Sequence, residues 1–369
     1  MVAGIIGRDA VLHNKKFKQF NFCFCSHLSL SLQNSMNVVT SHRNSNLDWI
    51  RCVAIFLVIT VHTWSLARVS EVAYPLLHRV YDAFIGCGVP LFLMLSGGLQ
   101  LSSQPQSLSA FYSKRLKRLL VPFFFWATLI YVLSACLGKY DEVHSLKDGV
   151  IYYLPFLLEN KINMAYWYVP LMLLLYAMTP FLQKALHDCT RTTRMGLICV
   201  WLCVIALRNV YPEMYVLRYT SELIVYLGFY VVGFFVCNPI DRRPLSGKQW
   251  WGVVSMFIVA LVLFVVKAPA PTLWRAFMCV AMLVLLLNVR LPHVEIVQRV
   301  SQYSYAIYLF HMIFIPPLYT LIHFDGGSAA LWLCCLLPLI TSVAVLLISY
   351  LVCWVLCKCF SKHQWLGIN

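Results

Sequence analysis

Two ionisable side chains interrupt a long apolar stretch of this sequence. Residues 47–67 (LDWIRCVAIFLVITVHTWSLA) include Arg51 and His62, eleven positions apart. In an α-helix, at about 100° and 1.5 Å per residue, the two would share nearly one face and lie roughly 16 Å apart along the axis. A guanidinium binds anions, and a neutral imidazole accepts a proton near neutral pH. Because ionisable groups are costly in hydrocarbon, the pair predicts an anion-binding group and, further along, a base or nucleophile.

A structural alternative exists for both residues. Arg51 could extend its charge to lipid headgroups, and His62 could hydrogen-bond a neighbouring helix. Asp48 precedes Arg51 by three residues, a spacing that predicts an ion pair on the helix surface.

The composition predicts an all-α protein embedded in a membrane. Of 369 residues, 61% are hydrophobic and 12% are charged, about half the charge of a soluble protein. The apolar residues form long runs, which predict a bundle of ten transmembrane helices without a separate soluble domain. The predicted spans are residues 47–67, 80–101, 118–137, 166–182, 196–210, 221–237, 250–266, 272–289, 303–322 and 328–357. The apolar stretch 149–158 is too short to cross a bilayer and predicts an interfacial or re-entrant segment.

The positive charges are distributed as in a multi-pass membrane protein. The net charge is +15, yet no basic domain or basic stripe is present, which argues against nucleic-acid binding. One set of loops carries twelve Lys and Arg residues and the other nine, a bias that predicts both termini in the cytoplasm. Arg51 would then lie near the inner surface and His62 in the outer half of the membrane. The fifteen cysteines show no metal-ligand spacing, so no metal site is predicted.

The ends of the chain differ from its apolar body. Residues 1–40 predict a disordered cytoplasmic tail or a stretch upstream of a true start at Met36. The membrane domain is predicted over residues 41–360, and residues 361–369 predict a second cytoplasmic tail.

Three further stretches offer residues for chemistry, each with a structural alternative. Arg115 and Arg118 lie on one helix face and suit phosphate binding, or they mark the cytoplasmic end of a span. The second span contains Ser96 and Gly97 within GCGVPLFLMLSGGLQ, a pattern that suits either a slender ligand or close helix packing. Aromatic residues begin the fourth span, where they suit sugar stacking or a membrane-interface belt, namely Tyr166, Trp167 and Tyr168.

The ninth predicted span has a polar face. Ser304, Tyr308 and His311 follow one another at helical spacing, and Tyr305 lies between them. Such a face lines a helix contact or a cavity, and His311 suits a structural role better than a catalytic one. Asp82 and Glu222 are the carboxylates that we would expect to orient His62.

Taken together, these stretches resemble the integral membrane acyltransferases of the acyltransferase-3 family. The matching phrases are LDWIR with the later His62, VPLFLMLSG at 89–97, the pair Arg115 and Arg118, AYWYVP, and YSYAIYLFH at 303–311. They occur in the family's order across about 270 residues of the chain. Tyr166 stands where many relatives have His.

The resemblance implies transfer of an acyl group, usually acetyl, from cytoplasmic acetyl-CoA to a hydroxyl of an envelope glycan or lipid-linked sugar. The chain looks most like the O-acetyltransferases that act on enterobacterial common antigen or exopolysaccharide, which implies a bacterial inner-membrane location. Arg51 and His62 would be catalytic, and Arg115, Arg118, Ser96 and Gly97 would bind acyl-CoA. The remaining candidates would contact or support the acceptor: Trp167, Tyr166, Tyr305, His311, Glu222 and Asp82.

A proton-coupled transporter or flippase of envelope precursors is the alternative class. Arg51 and His62 would then couple proton movement to transport. The sequence shows no inverted repeat, and a carrier has no evident need for cytoplasmic phosphate ligands.

Overall fold

The computed structural model describes residues 45–103, 107–187, 189–211, 215–237, 244–324, 326–327, 329–360 and 364–368. The fold is all-α, as predicted, and the described residues contain no β-strand. The helices are α1 (Ser45–Ala67), α2 (Pro75–Ile85), α3 (Gly88–Leu101), α4 (Leu108–Cys136), α5 (Leu146–Leu158), α6 (Tyr168–His187), α7 (Arg191–Val210), α8 (Tyr215–Cys237), α9 (Gly247–Val265), α10 (Pro271–Asn288), α11 (Glu295–Phe310), α12 (Ile315–Ile322) and α13 (Leu331–Cys359). Short 3₁₀ helices cover Met164–Trp167, His311–Ile313 and Gln364–Leu366.

Every predicted span coincides with a helical segment. Among the described residues, eight segments are long and apolar enough to cross a membrane, with α2 and α3 counted as one. The segment formed by α11 and α12 would be a ninth span, and it bends by 46°. The described apolar part of α8, Glu222–Cys237, is shorter. The predicted interfacial stretch at 149–158 lies in the 13-residue helix α5, which is too short to span.

Helix α1 lies at the centre of the bundle. It packs against α3, α10, α11 and α13. Most of its core face is apolar and without solvent exposure, with Ile50, Ala54, Ile55 and Ile59 each at 0%. The polar side chains Asp48, Thr60 and Thr63 are buried on the same helix. Because neighbours surround α1, any polar group on it must find a protein partner or line a cavity.

Helices α3 and α8 approach each other closely through glycine. A Cβ added to Gly97 would lie 1.8 Å from the Tyr230 carbonyl oxygen, and one added to Gly233 would lie 1.9 Å from that of Met94. The two contacts are reciprocal, so each helix places its backbone where the other lacks a side chain. Of the two alternatives for the glycine-rich second span, the structure shows close helix packing at Gly97.

The bundle has two ends, which we name from α1. The near end is where α1 begins, and there the Asn46 side-chain amide donates to the carbonyl of Leu287 at the end of α10, at 3.1 Å. The far end is where α1 ends, and there the Tyr74 hydroxyl donates to the Ala329 carbonyl before α13, at 3.0 Å. Successive long helices run in opposite directions between these ends.

The chain returns to the bundle after α13. The Trp126 indole N–H of α4 donates to the Leu366 carbonyl at 3.0 Å, and Leu366 and Ile368 are buried. Residues 361–363 and 369 of the predicted second tail lie outside the described residues. So does the predicted tail at 1–40, together with residues 41–44.

Candidate functional site

A cavity of about 360 Å³ lies between the helices and reaches toward the far end. Its wall combines apolar side chains with an imidazole, two guanidinium groups, a carboxylate and several aromatic rings. The polar and aromatic lining residues are His62, Trp167, Tyr168, Arg208, Glu222, Tyr226, Phe229, Thr272, Arg275 and Tyr308. Pockets of this kind, apolar with a few convergent polar groups, are typical of small-molecule sites.

His62 and His311 meet at this cavity although 249 positions separate them. Their ring centroids are 5.2 Å apart, and the rings are tilted by 42°. His62 is half-buried and forms no hydrogen bond with another described residue. An imidazole that lines a cavity without such a partner is available to a ligand, which is what a base or nucleophile requires.

The tautomer of His311 follows from its hydrogen bonds. Its Nδ1 lies 2.8 Å from the Tyr308 carbonyl and 3.2 Å from the Ile307 carbonyl. Carbonyls only accept, so Nδ1 carries the proton and Nε2 has a free lone pair in the neutral ring. Nε2 is buried and has no hydrogen-bond partner. The structure therefore gives His62 a neighbouring ring held in one orientation.

Helix α11 ends immediately before His311. Phe310 is its last residue, His311 begins a 3₁₀ turn, and α12 starts at Ile315. Pro316 and Pro317 carry no amide proton, so the α-helical hydrogen-bond ladder cannot continue through them. Close to this break, the His311 ring binds carbonyls of the last turn of α11.

Arg51 lies near the near end and is held by two side chains. Its Nη1 is 3.5 Å from Asp48 Oδ1 and 3.3 Å from Ser301 Oγ. The Ser301 hydroxyl donates to the same carboxylate oxygen at 2.7 Å. The predicted pairing of Asp48 with Arg51 is confirmed. Arg51 and His62 occupy one uninterrupted helix, and Arg51 does not line the cavity.

Arg115 and Arg118 lie toward the near end of α4. Arg115 is half-buried, with its guanidinium carbon 5.6 Å from the centre of the Phe111 ring, and Arg118 is exposed. Within the described part of the chain, neither forms an ion pair. Both lie within electrostatic range of the Tyr176 hydroxyl on α6. Two unpaired guanidinium groups one helical turn apart can hold phosphate oxygens.

A row of tyrosines connects these arginines with the cavity. Tyr176 lies near Tyr305, the rings of Tyr305 and Tyr308 are 6.5 Å apart, and those of Tyr308 and Tyr168 are 5.4 Å apart. We call these four residues the tyrosine row. Tyr308 and Tyr168 line the cavity itself. The Tyr305 hydroxyl donates to the Leu119 carbonyl at 2.7 Å, so this ring is fixed.

The predicted acyl-CoA residues of α3 lie beside the row. Ser96 is half-buried and close to the Tyr168 hydroxyl. Gly97 faces α8 through the contact with Tyr230 described above.

The three aromatic residues before and at the start of α6 differ in position. Tyr166 is 1% exposed, and its hydroxyl donates to the Leu309 carbonyl at 3.2 Å. Trp167 is 36% exposed and lines the cavity with Tyr226, whose ring centre is 5.5 Å away. Trp167 and Tyr168 are therefore available to a ligand, whereas Tyr166 supports the wall.

The carboxylates expected to orient His62 are Glu222 and Asp82, and neither is paired with it in the structure. Glu222 lines the cavity but pairs with Arg208, with 2.6 Å between Oε1 and Nη2. Asp82 is exposed and does not line the cavity. No hydrogen bond joins either carboxylate to His62 among the described residues. The group that the structure places against His62 is His311.

Five polar or aromatic cavity residues were not among the candidates from sequence: Arg208, Tyr226, Phe229, Thr272 and Arg275. From sequence, Arg208 and Arg275 count only among the nine Lys and Arg residues of the second set of loops. A signal was present, because Arg275 follows Pro271 by four residues at the start of an apolar run. An arginine inside a predicted span is a functional candidate by the same reasoning that applies to Arg51.

Within the described ranges, no group of three or more His, Cys, Asp and Glu side chains could hold a metal ion.

Comparison with known proteins adds a family. No curated protein and no solved structure is significantly similar to the chain. The model of the acyltransferase-3 family, described as an acyltransferase domain, matches residues 44–358. This range covers all the candidate residues discussed above. The chain is thus a multi-pass membrane protein that belongs to the acyltransferase-3 family.

Proposed function

We propose that the chain is an O-acyltransferase that moves an acyl group, acetyl in its commonest form, from cytoplasmic acyl-CoA to a hydroxyl of an envelope polysaccharide or lipid-linked sugar. It would act in the bacterial inner membrane with both termini in the cytoplasm. The observation that supports this proposal best is the position of His62, which lines a cavity toward the far end and contacts the fixed ring of His311.

The donor would enter from the near end. An acyl-CoA has an anionic nucleotide part and a long, slim pantetheine arm that ends in a thioester. Arg115 and Arg118 would hold its phosphates, since both lack an ion-pair partner among the described residues. Arg51 would add a third cation near the same end.

The arm would follow the tyrosine row toward the cavity. Pantetheine carries amide and hydroxyl groups, which need hydrogen-bond partners inside a membrane protein. The hydroxyls of Tyr176 and Tyr168 would offer such partners. The thioester would then arrive beside His62.

His62 admits two chemical routes. As a general base, it takes the proton of the acceptor hydroxyl while the oxygen attacks the thioester carbonyl; the carbon–sulfur bond breaks, and the departing thiolate receives the proton. As a nucleophile, its nitrogen first takes the acyl group and releases the thiol, and the acceptor hydroxyl then displaces the imidazole. In either route, His311 would orient the His62 ring.

The test is acyl transfer from radiolabelled acetyl-CoA into envelope glycan, measured in membranes that contain the wild type or His62→Ala. We expect the variant to lose activity by about 10²–10⁴-fold, the usual contribution of a proton-transferring group. A label that stays on the protein without acceptor would identify the nucleophilic route.

His323→Ala provides the matched control, because His323 is an exposed histidine that follows α12 at the far end. It should keep full activity. Full transfer by a normally inserted His62→Ala would refute the proposal. Movement of a lipid-linked sugar across vesicles without acyl-CoA would instead support the transporter.

A further inference from the structure

The cavity wall contains a cation, Arg275, that forms no ion pair with a carboxylate of the described residues. Arg275 lines the cavity near the start of α10. Among the described residues, no carboxylate oxygen lies within 4.0 Å of its guanidinium. Its Nε is buried without a hydrogen-bond partner.

The contacts that Arg275 does make leave its charge available. Its Nη2 donates to the Asp82 backbone carbonyl over 3.4 Å, which is a long hydrogen bond. Its guanidinium carbon is 4.9 Å from the centre of the Phe264 ring. A carbonyl and a ring face orient this half-buried guanidinium, but neither forms an ion pair with it. The Asp82 carboxylate lies within electrostatic range of the guanidinium but beyond ion-pair distance.

The backbone opposite is shaped to admit this side chain. A Cβ added to Gly86 would lie 2.6 Å from Arg275 Nε, and Gly86 itself lines the cavity. The absence of a side chain at Gly86, at the junction of α2 and α3, thus leaves room for the guanidinium in the cavity wall. The placement of Arg275 depends on a specific residue of another helix.

The other charges of the cavity balance each other. Arg208 and Glu222 form an ion pair with 2.6 Å between their atoms. Apart from the tyrosines, which are neutral near pH 7, His62 is the remaining titratable side chain of the described lining. When His62 is neutral, the described lining therefore has one net positive charge, at Arg275.

We infer that the cavity binds an acceptor that carries an anionic oxygen group, a phosphate or a carboxylate, with the Arg275 guanidinium as its ligand. The inference rests on the proposed function, because it treats the cavity as the acceptor site. Guanidinium groups bind phosphate and carboxylate through paired, charge-assisted N–H donors.

The rest of the cavity suits the sugar part of such an acceptor. Trp167 and Tyr226 present two aromatic rings, which commonly stack on sugar rings. A volume of about 360 Å³ is at the lower end for small-molecule pockets, roughly 300–1,000 Å³, and suits one sugar with its charged substituent better than a polymer segment. The anion at Arg275 would then direct a hydroxyl of the same sugar toward His62.

Binding of three probes to the purified full-length protein in detergent tests this inference: glucose 1-phosphate, glucuronate and glucose. Calorimetry without acyl-CoA measures each affinity. We expect the wild type to bind at least one of the two anions about tenfold or more tightly than glucose. The tighter anion distinguishes a phosphate from a carboxylate. Arg275→Gln should lose this preference, and Arg275→Lys should keep part of it.

Lys147→Gln is the control, because Lys147 is an exposed cation of α5 at the same end and does not line the cavity. It should bind the probes as the wild type does. The inference is wrong if wild type shows no preference for either anion, or if a folded Arg275→Gln keeps it. Equal displacement of every probe by phosphatidylglycerol would also overturn it, because Arg275 would then hold a lipid headgroup.

Failure of this inference and failure of the proposed function can be told apart. Acyl transfer that depends on His62, combined with no anion preference, would leave the enzyme proposal intact and refute the acceptor class. An anion preference that depends on Arg275, combined with no acyl transfer, would support the anion site and refute the enzyme proposal.

Discussion

At the scale of single residues, the proposed mechanism gives the two histidines different parts, His62 at the reacting groups and His311 as its support. His62 faces the cavity without a hydrogen-bond partner among the described residues, whereas His311 is fully buried and fixed through Nδ1. The sequence alone favoured a structural role for His311. Because its ring is fixed and contacts that of His62, His311 would also orient the His62 ring in the proposed mechanism.

Replacement of His311 should distinguish an effect on the orientation of the His62 ring from an effect on folding. Asparagine places an amide near the position of Nδ1, and glutamine places one near the position of Nε2. We expect His311→Asn to lower kcat by on the order of tenfold, or about 1.4 kcal/mol, because its amide does not reach the position of Nε2 beside the His62 ring; KM for acyl-CoA should be unchanged. His311→Gln should retain more activity.

Steady-state kinetics and thermal unfolding of the same preparations distinguish the alternatives. If His311 only supports the fold, both variants should lose thermal stability and activity in parallel. Equal kcat values for Asn and Gln would contradict a role for Nε2.

Residue types and local spacing indicated part of this site, and tertiary contacts supplied the rest. Arg51 and His62 could be predicted because their spacing along one helix is fixed by 3.6 residues per turn. Arg275 and its contact with Gly86 could not, because nearly 190 residues separate the two and no local pattern encodes the distance between α10 and the α2–α3 junction. Trp167 and Tyr166 are neighbours in sequence, and only packing decides that the first lines the cavity.

At the scale of helices, the apolar runs predicted nearly every element, because in a bilayer each long apolar segment must satisfy its backbone as a helix. Two breaks were not predicted. One separates α2 from α3 inside a single predicted span, and the other follows α11 at His311. Both consist of a few residues, so they barely change the mean hydropathy of the segment.

The contact between α3 and α8 leads to a prediction at this scale. Gly97→Ala would place a methyl carbon 1.8 Å from the Tyr230 carbonyl oxygen. The methyl carbon is bonded directly to the backbone of α3, and the oxygen belongs to the backbone of α8. Neither can rotate away, so the helices must separate. We expect a loss of about 1–3 kcal/mol, as for other overpacked contacts. Thermal unfolding of the purified protein in detergent measures it.

Gly252→Ala is the matched control. Gly252 lies within α9 with nothing within 4 Å of an added Cβ, and alanine favours helix by up to about 1 kcal/mol. Its unfolding midpoint should equal or exceed that of the wild type. A Gly97→Ala midpoint equal to that of Gly252→Ala would contradict the close packing.

At the scale of the whole molecule, the proposal requires donor and acceptor to enter from opposite ends. Arg115 and Arg118 lie toward the near end, and Arg208 and Arg275 lie toward the far end. The excess of Lys and Arg in near-end loops predicts that this end faces the cytoplasm.

Epitope tags can determine this orientation. One tag is inserted after Val72, which is 94% exposed between α1 and α2 at the far end, and another after Arg290, which is exposed between α10 and α11 at the near end. We expect antibody to reach the Val72 tag on intact spheroplasts and the Arg290 tag only after permeabilisation. The reverse pattern would place the near end outside and exclude donor entry from the cytoplasm.

The segment after α13 also bears on how the molecule is made. Leu366 accepts the Trp126 indole N–H, and the Trp126 ring lies 4.3 Å from that of Phe310, the residue before His311. Residues 364–368 emerge from the ribosome after every helix of the bundle, while earlier segments fold first during synthesis. The support behind the histidines is therefore completed last. A nascent chain whose described helices are all inserted still lacks this support, so the proposed site is completed only after residues 364–368 have left the ribosome.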